Sequence, residues 1–288
     1  MSDINNEERK MSILQQARKA TDSLRPPMLT IIASKGVGKT SMAGLFPNPV
    51  FIQAEDGSEV FEAWEDDVQP ALLPPLMQAD SARMSVMHTI GELLNSEHDF
   101  KTVVFDAITS MNLLFERELC KLDNVTNVGD ASGGFHKGYL TIANWHMEII
   151  RGCERLRNEK NMTIVFLGHS TITKIKNSPD ESSEYAIWGL DMYAKSANIY
   201  LNNSSGVYYL TKEKFVVGAE SNKKGQTTKY GRATESGNRV LITSGDGKTG
   251  YIDAKDRYGL DNEIPVPHGT NPLLNNIKFF TQGNKSNE

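Results

Sequence analysis

Cysteine is almost missing: Cys120 and Cys153 are the only two in 288 residues. That excludes a disulfide framework and any zinc-ligand spacing, and fits a reducing compartment. Long hydrophobic runs are missing too. No stretch reaches the roughly 18 consecutive apolar residues that a membrane-spanning helix needs, and the polar N-terminus carries no apolar leader segment. The expectation is a cytoplasmic protein with no membrane contact. Repeats and low-complexity tracts are also absent, and the net charge is only −5. So small an imbalance, and of this sign, argues against an unspecific nucleic-acid coat protein.

The charge that is present is unevenly placed. Between Glu55 and Asp99 eleven acidic residues face one basic residue, Arg83, a surface that repels phosphate backbones. Between Leu201 and Arg257 ten basic residues outnumber six acidic ones, with Lys212, Lys214, Lys223, Lys224, Lys229 and Arg232 among them. A polyanion, if bound, is expected there. Hydrophobic residues at 39% and charged residues at 23% describe an ordinary globular chain, long enough for one α/β domain with or without a small appendage.

Residues 5–21 place Met11, Leu14 and Ala17 at helical spacing, and Pro26-Pro27 ends that path, so 1–26 reads as an N-terminal helical arm. Four short apolar runs follow, Met28 to Ile32, Pro49 to Ala54, Thr102 to Phe105 and Thr163 to Leu167. Each is apolar on consecutive positions, as strands buried on both faces of a parallel sheet must be. Helical segments near 81–95, 108–121 and 140–159 alternate with them. The predicted fold class is α/β, a mostly parallel central sheet covered by helices. After Gly189 short strands at Val207–Leu210, Phe215–Ala219, Val240–Thr243 and Tyr251–Ala254 are separated by polar, Gly-rich turns. They read as hairpins extending the far edge of the sheet with antiparallel C-terminal strands. The domain is drawn at 27–260, with 261–288 as a tail whose last eight residues lack apolar content.

The strongest motif is Ala33-Ser34-Lys35-Gly36-Val37-Gly38-Lys39-Thr40, entered from a strand and left through Ser41 into a helix. Gly36 and Gly38 let the backbone turn its N–H groups toward phosphate, Lys39 neutralises the β and γ phosphates, and the Thr40 hydroxyl ligates Mg²⁺. Residues 34–41 are therefore the candidate binding site for a nucleoside triphosphate, ATP with Mg²⁺. Ala33 departs from the glycine usual at the first position. Asp106 ends the Thr102 strand as a metal-supporting carboxylate does, although a helix N-cap is a competing role. Glu55 ends the Pro49 strand where a carboxylate can activate the attacking water, or is simply one more exposed acid. His169 follows the fourth strand as a γ-phosphate sensor or as an ordinary strand-end side chain. Lys255 and Arg257 end a late strand and suit phosphate charge, reaching the nucleotide of a neighbouring subunit, or are surface charge. Gly133-Gly134 and Phe135 to Tyr139 form either a substrate-facing loop or a turn, and Trp145 reads as helix core.

In this order and spacing ASKGVGKT, FIQAE, TVVFDAITS, VFLGHS and AKDRYGL resemble the RecA-like phage nucleotide-binding ATPases that include the Sak single-strand annealing group. The resemblance covers roughly 27–260. It implies a RecA-like P-loop NTPase fold, Glu55 as catalytic glutamate, Asp106 at the metal and His169 as sensor. It further implies a DNA-carrying loop over Ser170–Trp188 and Lys255/Arg257 as a finger acting in trans. The function expected is ATP hydrolysis coupled to single-stranded DNA in recombination or annealing. Lys174, Lys176, Lys223 and Lys224 are the candidate DNA contacts. The expected assembly is a homo-oligomer, ring or filament, in a bacterial host's cytoplasm, with a single-strand DNA-binding protein as a further partner. Asp180, Glu181 and Glu184 leave the DNA loop without a basic balance. A nucleotide-gated scaffold that handles no nucleic acid is the second reading, and a hexameric helicase or packaging motor the third.

Overall fold

The computed structural model describes residues 24–175, 185–217, 220–221, 227–229, 232–244, 251–252 and 254–283. The predicted arm thus falls, over 1–23, outside the described residues. The first half of the chain alternates strands β1 (Met28–Ala33), β2 (Pro49–Gln53), β3 (Ala71–Leu72), β4 (Thr102–Asp106) and β5 (Thr163–Ile175) with helices α1 (Lys39–Gly44), α2 (Ala82–Asn95), α3 (Ile108–Leu122) and α4 (Lys137–Glu159). The second half adds β6 (Tyr185–Leu190), α5 (Ala194–Asn203), β7 (Gly206–Val217), β8 (Glu220–Ser221), β9 (Thr227–Lys229) and β10 (Arg232–Ile242). It closes with β11 (Tyr251–Ile252), β12 (Lys255–Asp256), β13 (Glu263–Pro265), α6 (Leu273–Asn276) and α7 (Lys278–Gly283).

The main sheet runs in the order β13-β10-β7-β1-β5-β4-β2-β3, and β1 is parallel to both neighbours, β5 and β7. The runs of consecutive apolar residues explain this centre. All six residues of β1 are buried, and the period of two along a strand sends them to opposite faces. Met28 and Ile32 enter the core beneath α2, α3, α4 and α5, whereas Leu29, Ile31 and Ala33 enter the core shared with α1 and the C-terminal helices. Thr30 is fully buried, and its hydroxyl is satisfied by Ser204 Oγ at 2.7 Å. This is the α/β architecture of a P-loop NTPase, a mostly parallel sheet covered on both sides.

Three expectations need correction. Val207–Leu210 and Phe215–Ala219 are not separate hairpin strands at a far edge. Val207–Leu210 and Phe215–Val217 share β7 over Gly206–Val217, which lies parallel beside β1 at the centre; β10 and β12 pair antiparallel with β7, and β13 with β10. The Ser170–Trp188 stretch is not a loop throughout, because β5 runs on to Ile175 and returns antiparallel as β6. Residues 261–280 are no loose tail: β13 pairs with β10, and Val266, Leu273, Ile277 and Phe280 are buried against Met42 and Phe46. The apolar residues were visible, but their Pro- and Asn-rich setting disguised a packed segment.

Candidate nucleotide site

Parallel strands deliver their carboxyl ends to one edge of a sheet, and the register decides which side chains meet there. Ala33 pairs with His169 across β1 and β5, and Asp106 pairs with Leu167 of β5 and Gln53 of β2. The loop Ser34–Gly38 leaves β1 at this edge with Gly36 at φ +73° and Gly38 at φ +96°, a left-handed backbone that side chains other than glycine resist. Ala33 needs no such freedom. It is the last residue of a regular strand, wholly buried, which is why alanine stands where glycine is usual.

Five predicted residues come together around this loop. Lys39 Nζ donates to Glu55 Oε1 at 3.1 Å and stands 4.0 Å from Asp106 Oδ1. Thr40 Oγ1 donates to Asp106 Oδ2 at 2.7 Å. His169 Nε2 lies 2.9 Å from Glu55 Oε2 and 3.1 Å from Oε1, so it bridges the carboxylate as its proton donor. Asp106 is not the cap of α3, whose N-cap is Ala107. Glu55 is likewise more than an exposed acid, since three side chains fix it.

The electrostatics follow from these contacts. Burial alone pushes the Glu55 carboxyl up, but the hydrogen bond from His169 and the Lys39 charge together outweigh it and hold the group down at about 2. Asp106 moves the other way, raised from its ordinary value because burial outweighs the pull of Lys39 and Thr40. Its Oδ1 is buried with no hydrogen-bond partner. A stranded acceptor beside a threonine hydroxyl fits Mg²⁺, which keeps most of its waters and takes one or two protein oxygens together with substrate phosphates. Among the described residues no cluster of three His, Cys, Asp or Glu side chains is built for a metal, so the cation would rest on Thr40, Asp106 and the nucleotide itself.

Two hydroxyls escaped the sequence reading. Ser110 Oγ donates to Glu55 Oε2 at 3.0 Å, and Thr109 Oγ1 accepts the His169 backbone N–H at 3.2 Å. Their position one helical turn after Asp106 was the available signal. Ser34 and Ser170 meet at 3.1 Å, tying the loop to the start of the β5 extension. Arg239, which contacts the loop from β10, gave no local sign in the sequence.

Lys255 and Arg257 are not brought to this edge within their own chain. Lys255 and Asp256 pair with Val207 and Gly206 at the opposite end of β7, and Lys255 Nζ donates to the carbonyls of Leu201 and Asn202 at the end of α5. The strand stops at Asp256, so the two cations do not share a strand face. Trp145 is core, buried against Phe115 and under the guanidinium of Arg83 at 4.8 Å. Phe135 is 91% exposed in the Gly133–Tyr139 stretch, on the path into α4. Lys174 falls in β5, paired with Ala186, whereas Lys176, Lys223 and Lys224 lie outside the described residues. No helix among the described residues is long and apolar enough to cross a membrane.

A family model described as an AAA domain matches residues 25–258, most of the chain and all the site residues that came together. No curated protein matches it.

Proposed function

The chain belongs to the AAA-domain family, and from that premise we propose that it is a Mg²⁺-dependent ATPase of RecA-like type that works on single-stranded DNA in recombination or annealing. The observation that carries the ATPase half is the convergence of Lys39, Thr40, Asp106, Glu55 and His169. Lys39 leaves Glu55 for the β and γ phosphates. Thr40 and Asp106 would hold the metal, which would supply charge neutralisation at the transferring phosphoryl group. Glu55, released, accepts the proton of the attacking water, and its low proton affinity at rest rises once Lys39 turns away. His169, still bound to Glu55, links the state of the γ phosphate to β5 and the hairpin arm beyond it.

The DNA half rests on the motif resemblance and on the basic excess over Leu201–Arg257. In that reading the arm formed by β5 and β6 carries the strand, and Lys255 and Arg257 complete the site of a neighbouring subunit in a ring or filament. The decisive measurement is phosphate release by the purified protein with and without single-stranded DNA. Turnover should require Mg²⁺, be lost in Lys39→Ala and rise with DNA. Absence of any Lys39-dependent turnover under both conditions would sink the ATPase reading. A nucleotide-gated scaffold is the second reading, favoured by the acidic balance of Glu55–Asp99. Turnover indifferent to DNA, with no salt-dependent retention on single strands, would favour it.

A further inference from the structure

The sheet order gives the nucleotide a direction. Glu55 just past β2, Asp106 at the end of β4 and His169 within β5 all lie on one side of β1. The cavity beside the phosphate loop, about 910 Å³, extends to the other side of β1, over Lys212, Asn238, Arg239 and Pro265–His268. These belong to β7, β10, the end of β13 and the turn after it. A triphosphate whose γ end lies beside Glu55 therefore sends its nucleoside toward this second side.

The two sides are physically joined. The register of β10 against β7 shifts between Glu235 and Arg239, with Gly237 at φ +85°, and a bulge of this kind re-aims the side chain that follows it. Arg239 emerges there onto the loop. Its Nη1 donates to the Val37 carbonyl at 3.4 Å and its Nη2 to the Pro267 carbonyl at 3.0 Å. It lies so close over Gly38 that a Cβ on that residue would collide with Nη1. Behind this contact Asn271 Nδ2 donates to the Met42 carbonyl of α1 at 3.2 Å, and Phe280 packs on Phe46 with ring centres 5.7 Å apart.

We infer that Pro265–His268 is the nucleoside wall of the nucleotide pocket and that Arg239 is the positioning residue that fixes this wall to the phosphate loop. The inference rests on the nucleotide reading above and reaches past residue 258, where the family match ends. Pro267 and His268 are exposed on the cavity and offer a flat ring contact to a base. A bare polyphosphate would leave them untouched.

The test is photolabelling of the full-length protein with 8-azido-ATP and Mg²⁺, followed by tryptic mapping. Label that excess ATP competes away should appear in the peptide 258–278. Label confined to the peptide 40–83, which carries Gly57 and Val60 on the opposite lip, overturns the assignment. Calorimetric titration with ATP and with inorganic tripolyphosphate gives an independent reading. His268→Ala and Arg239→Gln should each weaken ATP about tenfold, with tripolyphosphate changed less than about twofold and Arg239→Lys restoring part of the loss. Equal losses for both ligands, or none for either, overturn it. Lys39→Ala separates the two levels: if that variant still binds ATP normally, the nucleotide reading itself fails; if it does not and the wall variants bind like the parent, only this inference does.

Discussion

Glu55 has three partners, Lys39, His169 and Ser110, and must release the first of them to work. Lys39 holds it by charge and His169 by a hydrogen bond, so phosphate must compete with a carboxylate for the lysine. Glu55→Gln removes that competitor together with the proton acceptor. ATP should then bind at least as tightly as to the parent protein, while turnover falls by about 10²- to 10⁴-fold, the usual contribution of a positioned base. Equilibrium binding alongside single-turnover hydrolysis checks both halves, and weaker binding would contradict the pairing described. Asp106→Asn should instead abolish the dependence of binding on Mg²⁺, read by titrating ATP with and without EDTA. Glu55, Asp106 and His169 were legible in the sequence because each follows a short apolar run, and parallel strands carry such positions to one edge. Arg239 was not, because it lies 202 residues from the carbonyl it contacts and its neighbours are ordinary turn residues.

Helices α3, α4 and α5 are bolted together beneath the sheet by a polar network that the apolar pattern did not announce. His146 of α4 is fully buried, with Nδ1 2.7 Å from the Tyr200 hydroxyl and Nε2 3.0 Å from Asn112 Oδ1. Asn112 Oδ1 can only accept, so Nε2 carries the hydrogen and Nδ1 accepts from tyrosine, which defines a neutral ring. Burial lowers its proton affinity to about 3 from the ordinary 6.5. The unfolded chain therefore takes up a proton that the folded one refuses. The contribution of His146 is intact above about pH 6.5 and is lost as pH falls toward 3, by about 1.4 kcal/mol per pH unit in the middle of that window. His146→Gln should flatten the pH dependence of unfolding by one proton, measured by denaturant titration between pH 4 and 7. Phe115, fully buried against Trp145 and His146, should cost about 3–5 kcal/mol when cut to alanine. At this scale the sequence was a good guide to α2, α3 and α4, whose buried residues recur every three or four positions. It misjudged β7 because Lys212 and Lys214 interrupt the apolar run although the strand continues through them.

For the whole molecule, the proposed assembly makes a prediction that no single chain can satisfy. Lys255 and Arg257 stand at the end of the sheet remote from their own phosphate loop. If they act on a neighbour, Lys39→Ala and Arg257→Ala are each inactive alone. Mixing them should restore turnover, since some interfaces then pair an intact loop with an intact finger. No recovery at any mixing ratio would exclude a finger in trans. The position of β7 beside β1, unlike the strand ends, was beyond the reach of local pattern, because it depends on pairing Leu29 with Gly206 far along the chain. That seat also sets the order in which the site is built. The loop and its acids lie in the part of the chain made first. Arg239, which closes the cavity, and Asn271, which braces α1, come more than 200 residues after their partners Val37 and Met42. A chain emerging from the ribosome thus carries a phosphate loop long before it owns a pocket, and the site matures only when the last sheet strand is laid down.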